Sequence, residues 1–356
     1  MVLEMLIFKL SFSSTNWRGK QMFKDAVLAK EWLPVAYSQD IGTDPLAVKV
    51  LEERVVLFRV SGSIKAFKDL CIHRGAALSL GKVKGDCIVC PYHGWEYDVD
   101  GQCTKIPQQS PNRAIPLKAK AIVYQCREEY GMVWVRLSEQ GSDAAEPFPY
   151  YEEYDHLSFK TVHAYSHTMN AAAPRVVENF LDVSHLAFVH EGSLGHPDYT
   201  EIPDYKVHWR DNHYVSDEIE VYADADGTGN WSTIYYTFEI LRPTVARLKK
   251  INYQTNEIFS MLFAVLPQEQ LKSTVFALVS RNYELDKPDK YFQEFQQLII
   301  EQDTGIVESQ KPEELPLDLQ AELHLNPDRV SIAYRKWLGE LGVEFGSDVG
   351  RKTKAI

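Results

Sequence analysis

The chain has 356 residues, of which 45% are apolar and 25% charged, and its formal net charge is −12. Such a length and balance suit about two globular domains and exclude a disordered polymer. Nucleic-acid binding needs clustered Lys and Arg to neutralise phosphates, and the short basic end at 351–354 is too small for that role, so it is excluded as well.

The N-terminal run MVLEMLIFKLSF is apolar but short, and Glu4 and Lys9 interrupt it. It lacks the basic start and small-residue cleavage site of a signal peptide, and falls well below the ~20 apolar residues that span a bilayer. Residues 1–29 are therefore expected to be an N-terminal extension, with Met22 as an alternative start. No later segment is long and apolar enough to span a membrane. Five cysteines, too few and too uneven for a disulfide framework, suit a reducing cytoplasm.

From Trp32 to about Leu137 short β-branched and aromatic runs alternate with turns, at 48–51, 55–58, 64–67, 122–124 and 132–135. Ser61-Gly62-Ser63 and Asp98 to Gly101 are hairpin signals. A small antiparallel, barrel-like domain over 30–140 follows, with its ligand loops at one end. Those loops are Cys71-Ile-His73 and Cys90-Pro-Tyr-His93, separated by sixteen residues. Two thiolates with two imidazoles hold either zinc or a Rieske [2Fe–2S] cluster, in which two histidines serve one iron. Gly75 and Gly94 follow the histidines where backbone must turn tightly, and no basic recognition helix comes after, which favours the cluster. Cys87 is read as a bystander, because Cys90 already has its partner in the Cys-Pro-Tyr-His run.

A proline-marked connection at 138–150 separates this domain from a second one over 150–345. Strand-like runs at 231–241, 258–266 and 274–279, with helices expected at about 174–189 and 288–310, make it an α+β domain. Asp182, His185 and His190 lie near the end of the first helix. Asp182 and His185 share a helical face. His185 and His190, five apart, do not, and converge only if the helix loosens or ends between them. The alternative is two helix-end histidines and a surface aspartate. Asp303 falls within the stripe Phe292, Phe295, Ile299, Ile306 and Val307 of the second helix. A carboxylate on a buried face is costly unless it is paired, caps a turn or binds metal. Two histidines and one carboxylate form the facial triad of non-haem Fe(II) oxygenases.

With both constellations in one chain, the sequence resembles the terminal oxygenase component of Rieske non-haem iron oxygenases, in the group of caffeine N-demethylases, saxitoxin-pathway hydroxylases and vanillate O-demethylases. The likeness rests on the string CIHRGAALSLGKVKGDCIVCPYHGWEYD, on Asn179 to His190, on Glu301-Gln-Asp303 to Gln310, and on Val330 to Trp337. It implies an all-β Rieske domain followed by an α+β helix-grip catalytic domain, assembled as a trimer. Cys71, His73, Cys90 and His93 would bind the cluster, and His185, His190 and Asp303 the mononuclear Fe(II). Asp182 would be the carboxylate bridging to a cluster histidine of a neighbouring subunit. The expected reaction is O₂-dependent hydroxylation or oxidative N- or O-demethylation of a small organic substrate. Electrons would come from a separate NAD(P)H-dependent reductase or ferredoxin, since no nicotinamide or flavin fingerprint is present.

High-potential respiratory Rieske proteins resemble a pattern with an extra cysteine in each loop and a serine bonding the cluster. Here Ala76, Tyr92 and Trp95 stand in those places, so fewer hydrogen bonds to sulfur and a lower potential are expected. The alternative from a different class is a cluster-only electron carrier or redox sensor, which has no need of the second site. The other histidines, His156, His163, His167, His196, His208, His213 and His324, lack partners at ligand spacing. Trp231, Tyr235, Tyr236 and Phe238 line a pocket or, more commonly for strand aromatics, fill the core.

Overall fold

The computed structural model describes residues 24–138 and 147–349. The expected N-terminal extension falls largely outside the described residues. So do most of the 138–150 connection and the basic end at 351–354.

Ten strands build the N-terminal domain. A six-stranded antiparallel sheet runs in the order β1-β10-β9-β4-β3-β2. Its members are β1 (Leu33–Tyr37), β2 (Leu46–Val50), β3 (Glu53–Val60), β4 (Ser63–Lys68), β9 (Val123–Glu129) and β10 (Met132–Arg136). A second sheet joins β5 (Lys82–Lys84), β6 (Cys87–Val89), β7 (Glu96–Tyr97) and β8 (Cys103–Lys105) in chain order. The turn expected at Ser61-Gly62 joins β3 to β4, with both residues at positive φ, where glycine carries no steric cost. A small core of its own, with Phe58, Phe67, Ile88 and Tyr97 at 0% exposure, underlies the two loops with Cys71 and Cys90.

The second domain is an antiparallel sheet ordered β11-β18-β17-β16-β15-β13-β12, with β14 paired to β15. These are β11 (Lys160–Met169), β12 (Val207–Arg210), β13 (His213–Ser216), β14 (Ile219–Asp224), β15 (Trp231–Arg242), β16 (Val245–Asn252), β17 (Glu257–Glu269) and β18 (Lys272–Arg281). Their central residues are buried almost continuously because helices cover one face. The helices are α1 (Ala173–Leu181), the single turn α2 (Leu186–Val189), α3 (Asp289–Ser309) and α4 (Arg329–Leu341). Gln293 of α3 donates to the His163 carbonyl at 2.8 Å, and Thr304 meets His167 at 2.9 Å, fixing α3 along β11. Arg335 of α4 forms a buried two-pronged pair with Glu178 of α1 and also meets Glu322, to which Arg175 is paired. Burial pushes the Glu178 carboxyl up even against its Arg335 hydrogen bonds, and that cost is offset only while the pair stays together.

The two domains share one core and join edge to edge. Leu51 and Glu52 donate backbone hydrogen bonds of 2.8 Å to the carbonyls of Pro267 and Gln268. The Tyr37 hydroxyl donates to the Tyr165 carbonyl at 2.5 Å.

Two expectations need correction. The helix expected over about 174–189 is broken: α1 stops at Leu181, and Asp182 is extended at φ −89°, ψ 126°. Its carboxylate accepts the Ser184 N–H at 2.7 Å, a local turn that competes with the helical ladder. The stripe on α3 also runs differently. Ile306 is half exposed, and Ile300 and Gln296 take buried places beside Phe292, Ile299, Asp303 and Val307.

Candidate active site

In the first ligand loop the Cys71 N–H donates to the Ala76 carbonyl at 2.7 Å, and the Gly75 N–H returns to the Cys71 carbonyl at 2.8 Å. In the second, the Cys90 N–H donates to the Trp95 carbonyl at 2.9 Å and the Gly94 N–H to the Cys90 carbonyl at 3.0 Å. Both glycines have positive φ, which the tight return requires. The loops lie side by side. Cys71 and Cys90 are buried, while the His73 and His93 rings sit nearer the surface with Nδ1 atoms 3.2 Å apart. Burial, and then the neighbouring Cys71, keep the Cys90 thiol above its ordinary pKa, despite backbone N–H donors that pull it down. A thiol pair and an imidazole pair thus face one gap, as a two-iron cluster with unlike ligand ends requires.

The Trp95 ring stacks on His73 at 4.5 Å, so it packs against that imidazole. The Tyr97 hydroxyl lies 3.1 Å from Cys71 Sγ, so one hydroxyl remains to bond a cluster sulfur. No spacing in the two ligand motifs marks Tyr97 for this contact. Cys87 points to Thr104, away from the loops, and all five cysteines are free thiols.

In the second domain the chain break at Asp182 turns His185 back toward His190. His190 ends α2 as its C-cap, and Asp303 arrives from the buried face of α3. His185 Nε2 lies 3.2 Å from His190 Nε2 and 3.6 Å from Asp303 Oδ1, and His190 Nε2 lies 3.3 Å from the same oxygen. Two ligands about 2.1 Å from one metal at 90–110° stand about 3.0–3.4 Å apart, so this triangle has the size of a metal site. Among the described residues these three form the one His/Cys/Asp/Glu group with ligand atoms close enough for a single ion.

Of the outer ring nitrogens, that of His190 is hydrogen-bonded, while that of His185 lies within ion-pair reach of Asp182 without an aligned hydrogen bond. His190 Nδ1 lies 2.7 Å from Gln302 Oε1, and His185 Nδ1 lies 3.4 Å from Asp182 Oδ2. With the His190 Nδ1 proton directed at Gln302, its Nε2 lone pair faces the Asp303 oxygen, a repulsion that a bound cation relieves. Burial pushes the Asp182 carboxyl up, but His185 outweighs it and holds the group below the usual range. Burial likewise lowers the His185 pKa, and Asp182 and Asp303 more than reverse the effect. Asn179 Nδ2 donates to Asp303 Oδ1 at 3.3 Å. Gln302 carried no spacing signal of its own. Asn179 lay in plain view, within the run that holds Asp182 and His185.

A cavity of about 60 Å³ opens beside the triad. Tyr236 and Phe238 line it, whereas Trp231 and Tyr235 do not. Of the remaining histidines, His163 stacks against Tyr37 at 4.5 Å and His208 meets Asp217 at 2.8 Å, while the buried Nε2 of His324 has no hydrogen-bond partner.

Residues 31–123 match the family described as Rieske [2Fe-2S] domain, and residues 169–344 match the Vanillate O-demethylase oxygenase C-terminal domain. The chain belongs to the Rieske non-haem iron oxygenases and is a terminal oxygenase of that family, an oxidoreductase using a [2Fe–2S] cluster and a mononuclear iron. It is 34% identical over 314 residues to methylxanthine N1-demethylase NdmA of Pseudomonas putida, covering 87% of this chain and 85% of the relative. Methylxanthine N3-demethylase NdmB of the same organism is 30% identical, covering 85% and 84%. The solved structure of Pseudomonas putida CBB5 NdmA with caffeine superposes with a TM-score of 0.78 at 31% identity, over 88% of this chain and 90% of that one. Dicamba monooxygenase bound to dicamba, 18% identical with a TM-score of 0.74 over 88% and 97%, shares the fold. Membership implies an electron donor, reductase or ferredoxin, and a small-molecule substrate. No helix among the described residues is long and apolar enough to cross a membrane.

Proposed function

We propose that Cys71, His73, Cys90 and His93 hold the cluster, that His185, His190 and Asp303 hold Fe(II), and that the chain oxidises a methyl or other C–H carbon of a small heterocyclic or aromatic substrate. The observation carrying this reading is the convergence of two Nε2 atoms and one carboxylate oxygen, with His190 tied back through Nδ1 to Gln302 and His185 facing Asp182. When bound, the two centres supply dioxygen activation with two electrons, and the product is a hydroxylated carbon that, if attached to N or O, collapses to release an aldehyde.

The chain's own residues orient and exclude. Asp182 and Gln302 fix the imidazole tautomers, and Asn179 holds the Asp303 carboxylate. Phe180 and Phe263, stacked 4.2 Å apart, wall the cavity against water. The Asp182 side chain is 33% exposed. In a homotrimer its carboxylate would reach a cluster histidine of the neighbouring subunit, giving a hydrogen-bonded path between the two centres. Cys87, Cys103 and Cys126, unpaired beside the two cluster cysteines, support a reducing, cytoplasmic setting.

The test is turnover by the reconstituted holoenzyme with an NAD(P)H-linked reductase, scored for formaldehyde and product mass. Caffeine, theobromine, methoxylated arenes and guanidinium alkaloids make up the panel. Formaldehyde marks demethylation, and a gain of one oxygen without it marks hydroxylation. Asp182→Asn is expected to lower turnover by about 100-fold with both metal centres still loaded. Full turnover by that variant would remove Asp182 from the path.

A further inference from the structure

The floor of the cavity is made of cross-strand rungs of β15, β16 and β17. Register sets Tyr236 opposite Lys250 and Lys250 opposite Phe259, then Phe238, Leu248 and Met261, then Ile240, Ala246 and Phe263. Residues two apart share a face, so the rungs form one surface. Phe263 marks the metal end, because Phe180, from the helix that carries Asn179, stacks on it. Tyr165, across the sheet beyond Ala277, feels the Asp303 charge. Tyr236 and Lys250 sit four residues along, about 13 Å away at ~3.3 Å per residue.

The other cavity-lining residues of these rungs are apolar. The Tyr236 side chain is 1% exposed, and its hydroxyl has no hydrogen-bond partner. Lys250 is 4% exposed. Its Nζ donates to the Ala225 carbonyl at 2.8 Å and lies 5.0 and 4.8 Å from the Tyr236 and Phe259 ring centroids. An ammonium has three protons, so donors remain beyond that one bond. The Tyr236 hydroxyl, unmet in an apolar wall, is costly until something bonds it, and Lys250, which also lines a polar hollow with Ala225 and Asp226, retains protons for the same acceptor. Burial lowers the Lys250 pKa to about 8 against the pull of Asp226 and Asp224, so the group is still charged at neutral pH. The same aspartates offset that charge. Asp224 accepts from the Gly227 and Gly229 N–H groups at 3.1 and 2.7 Å, and Asp226 accepts from the Tyr283 hydroxyl. This end of the cavity therefore offers hydrogen-bond donors without free positive charge.

We propose that Tyr236 and Lys250 are the specificity-determining pole of the cavity, and that the substrate is an uncharged, mainly apolar small molecule that presents a carbonyl-type oxygen to them while the carbon to be oxidised lies beside the triad. The oxidation at the far end rests on the oxygenase reading above; the recognition does not.

The experiment titrates anaerobic holoenzyme with 4-methoxyacetophenone, its carbonyl-free counterpart 4-ethylanisole, and 4-methoxybenzoate, reading Kd by calorimetry, and scores formaldehyde in separate aerobic turnovers with the reductase. The ketone is expected to bind about tenfold more tightly than the ethyl compound and more tightly than the carboxylate. In Tyr236→Phe and Lys250→Met the ketone-to-ethyl ratio should fall toward one. Iron content and melting temperature identify a variant that fails to fold, and Tyr236→Phe, which removes only an unpartnered hydroxyl, keeps the test sound if Lys250→Met does. Equal affinities in the wild type, an unchanged ratio in Tyr236→Phe, tighter binding of the carboxylate, or no binding of the ketone would overturn the proposal. Recognition of the ketone without formaldehyde or oxygenated product would contradict the oxygenase reading alone, and equal binding with turnover would contradict the pole alone.

Discussion

The cluster loops and the iron triad are both small metal-binding constellations, yet they are assembled in opposite ways. Each cluster loop closes on itself through a glycine N–H to its own cysteine carbonyl, at 2.8 and 3.0 Å, over a separate local core. The triad has no such autonomy. His185 and His190 flank a single turn, Asp303 comes from a helix far along the chain, and the supporting Gln302 and Asn179 come from opposite sides. Local geometry holds the first site, while tertiary packing holds the second. The triad should therefore be the more fragile of the two, and each prediction below challenges that asymmetry.

The largest effect is expected from Asp303→Ala, which should reduce turnover to background while the visible spectrum of the cluster persists. Substrate oxidation at the wild-type rate would remove Asp303 from the site. Arg335→Ala leaves Glu178 buried with only Arg175, 3.6 Å away, a loss at or below the roughly 3–5 kcal/mol of a fully broken buried pair. Because α1 carries Asn179 and leads into Asp182, this variant should lose mononuclear iron on mild heating before its cluster bleaches. Simultaneous loss of both centres would contradict the asymmetry. Gln302→Leu removes the acceptor on His190 Nδ1 and should weaken iron binding about 10- to 100-fold, measured by competition with a chelator.

A further effect, confined to alkaline pH, concerns Lys250. Lys250 has a folded pKa of about 8 against the ordinary 10.5. Between those values the unfolded chain binds more protons than the native one, so this site's contribution to stability rises with pH. Wild type should gain on Lys250→Met by up to about 3 kcal/mol between pH 8 and 10.5, followed by denaturant unfolding. A gap that stays constant would show that Lys250 does not titrate in this range.

The same asymmetry explains what could be read from the sequence. The cluster ligands lie in two short motifs whose spacing and glycines carry the geometry, and the strands around them follow from β-branched runs such as 55–58 in β3. Helix 288–310 matched α3 closely because its apolar period is long. The run 174–189 looked helical throughout, since nothing in a single sequence shows that Asp182 will prefer the Ser184 N–H to the helical ladder. Asp303 was visible as a charge out of place. Gln302 was invisible because an uncharged neighbour on the same helix breaks no pattern. Val330 to Trp337 entered only through resemblance, and its physical role, Arg335 clamping α1, needed the packed structure. Tyr97 bonding Cys71 similarly moderates the expectation of fewer hydrogen bonds to the cluster sulfurs.

The central claim is that one chain carries both centres, and counting iron and acid-labile sulfide in anaerobically purified protein tests it directly. The account predicts about three irons and two sulfides per chain, falling to two irons in His185→Ala with the cluster spectrum intact. Two irons per chain in the wild type after Fe(II) loading, unchanged in His185→Ala, would contradict it and leave a cluster-only electron carrier.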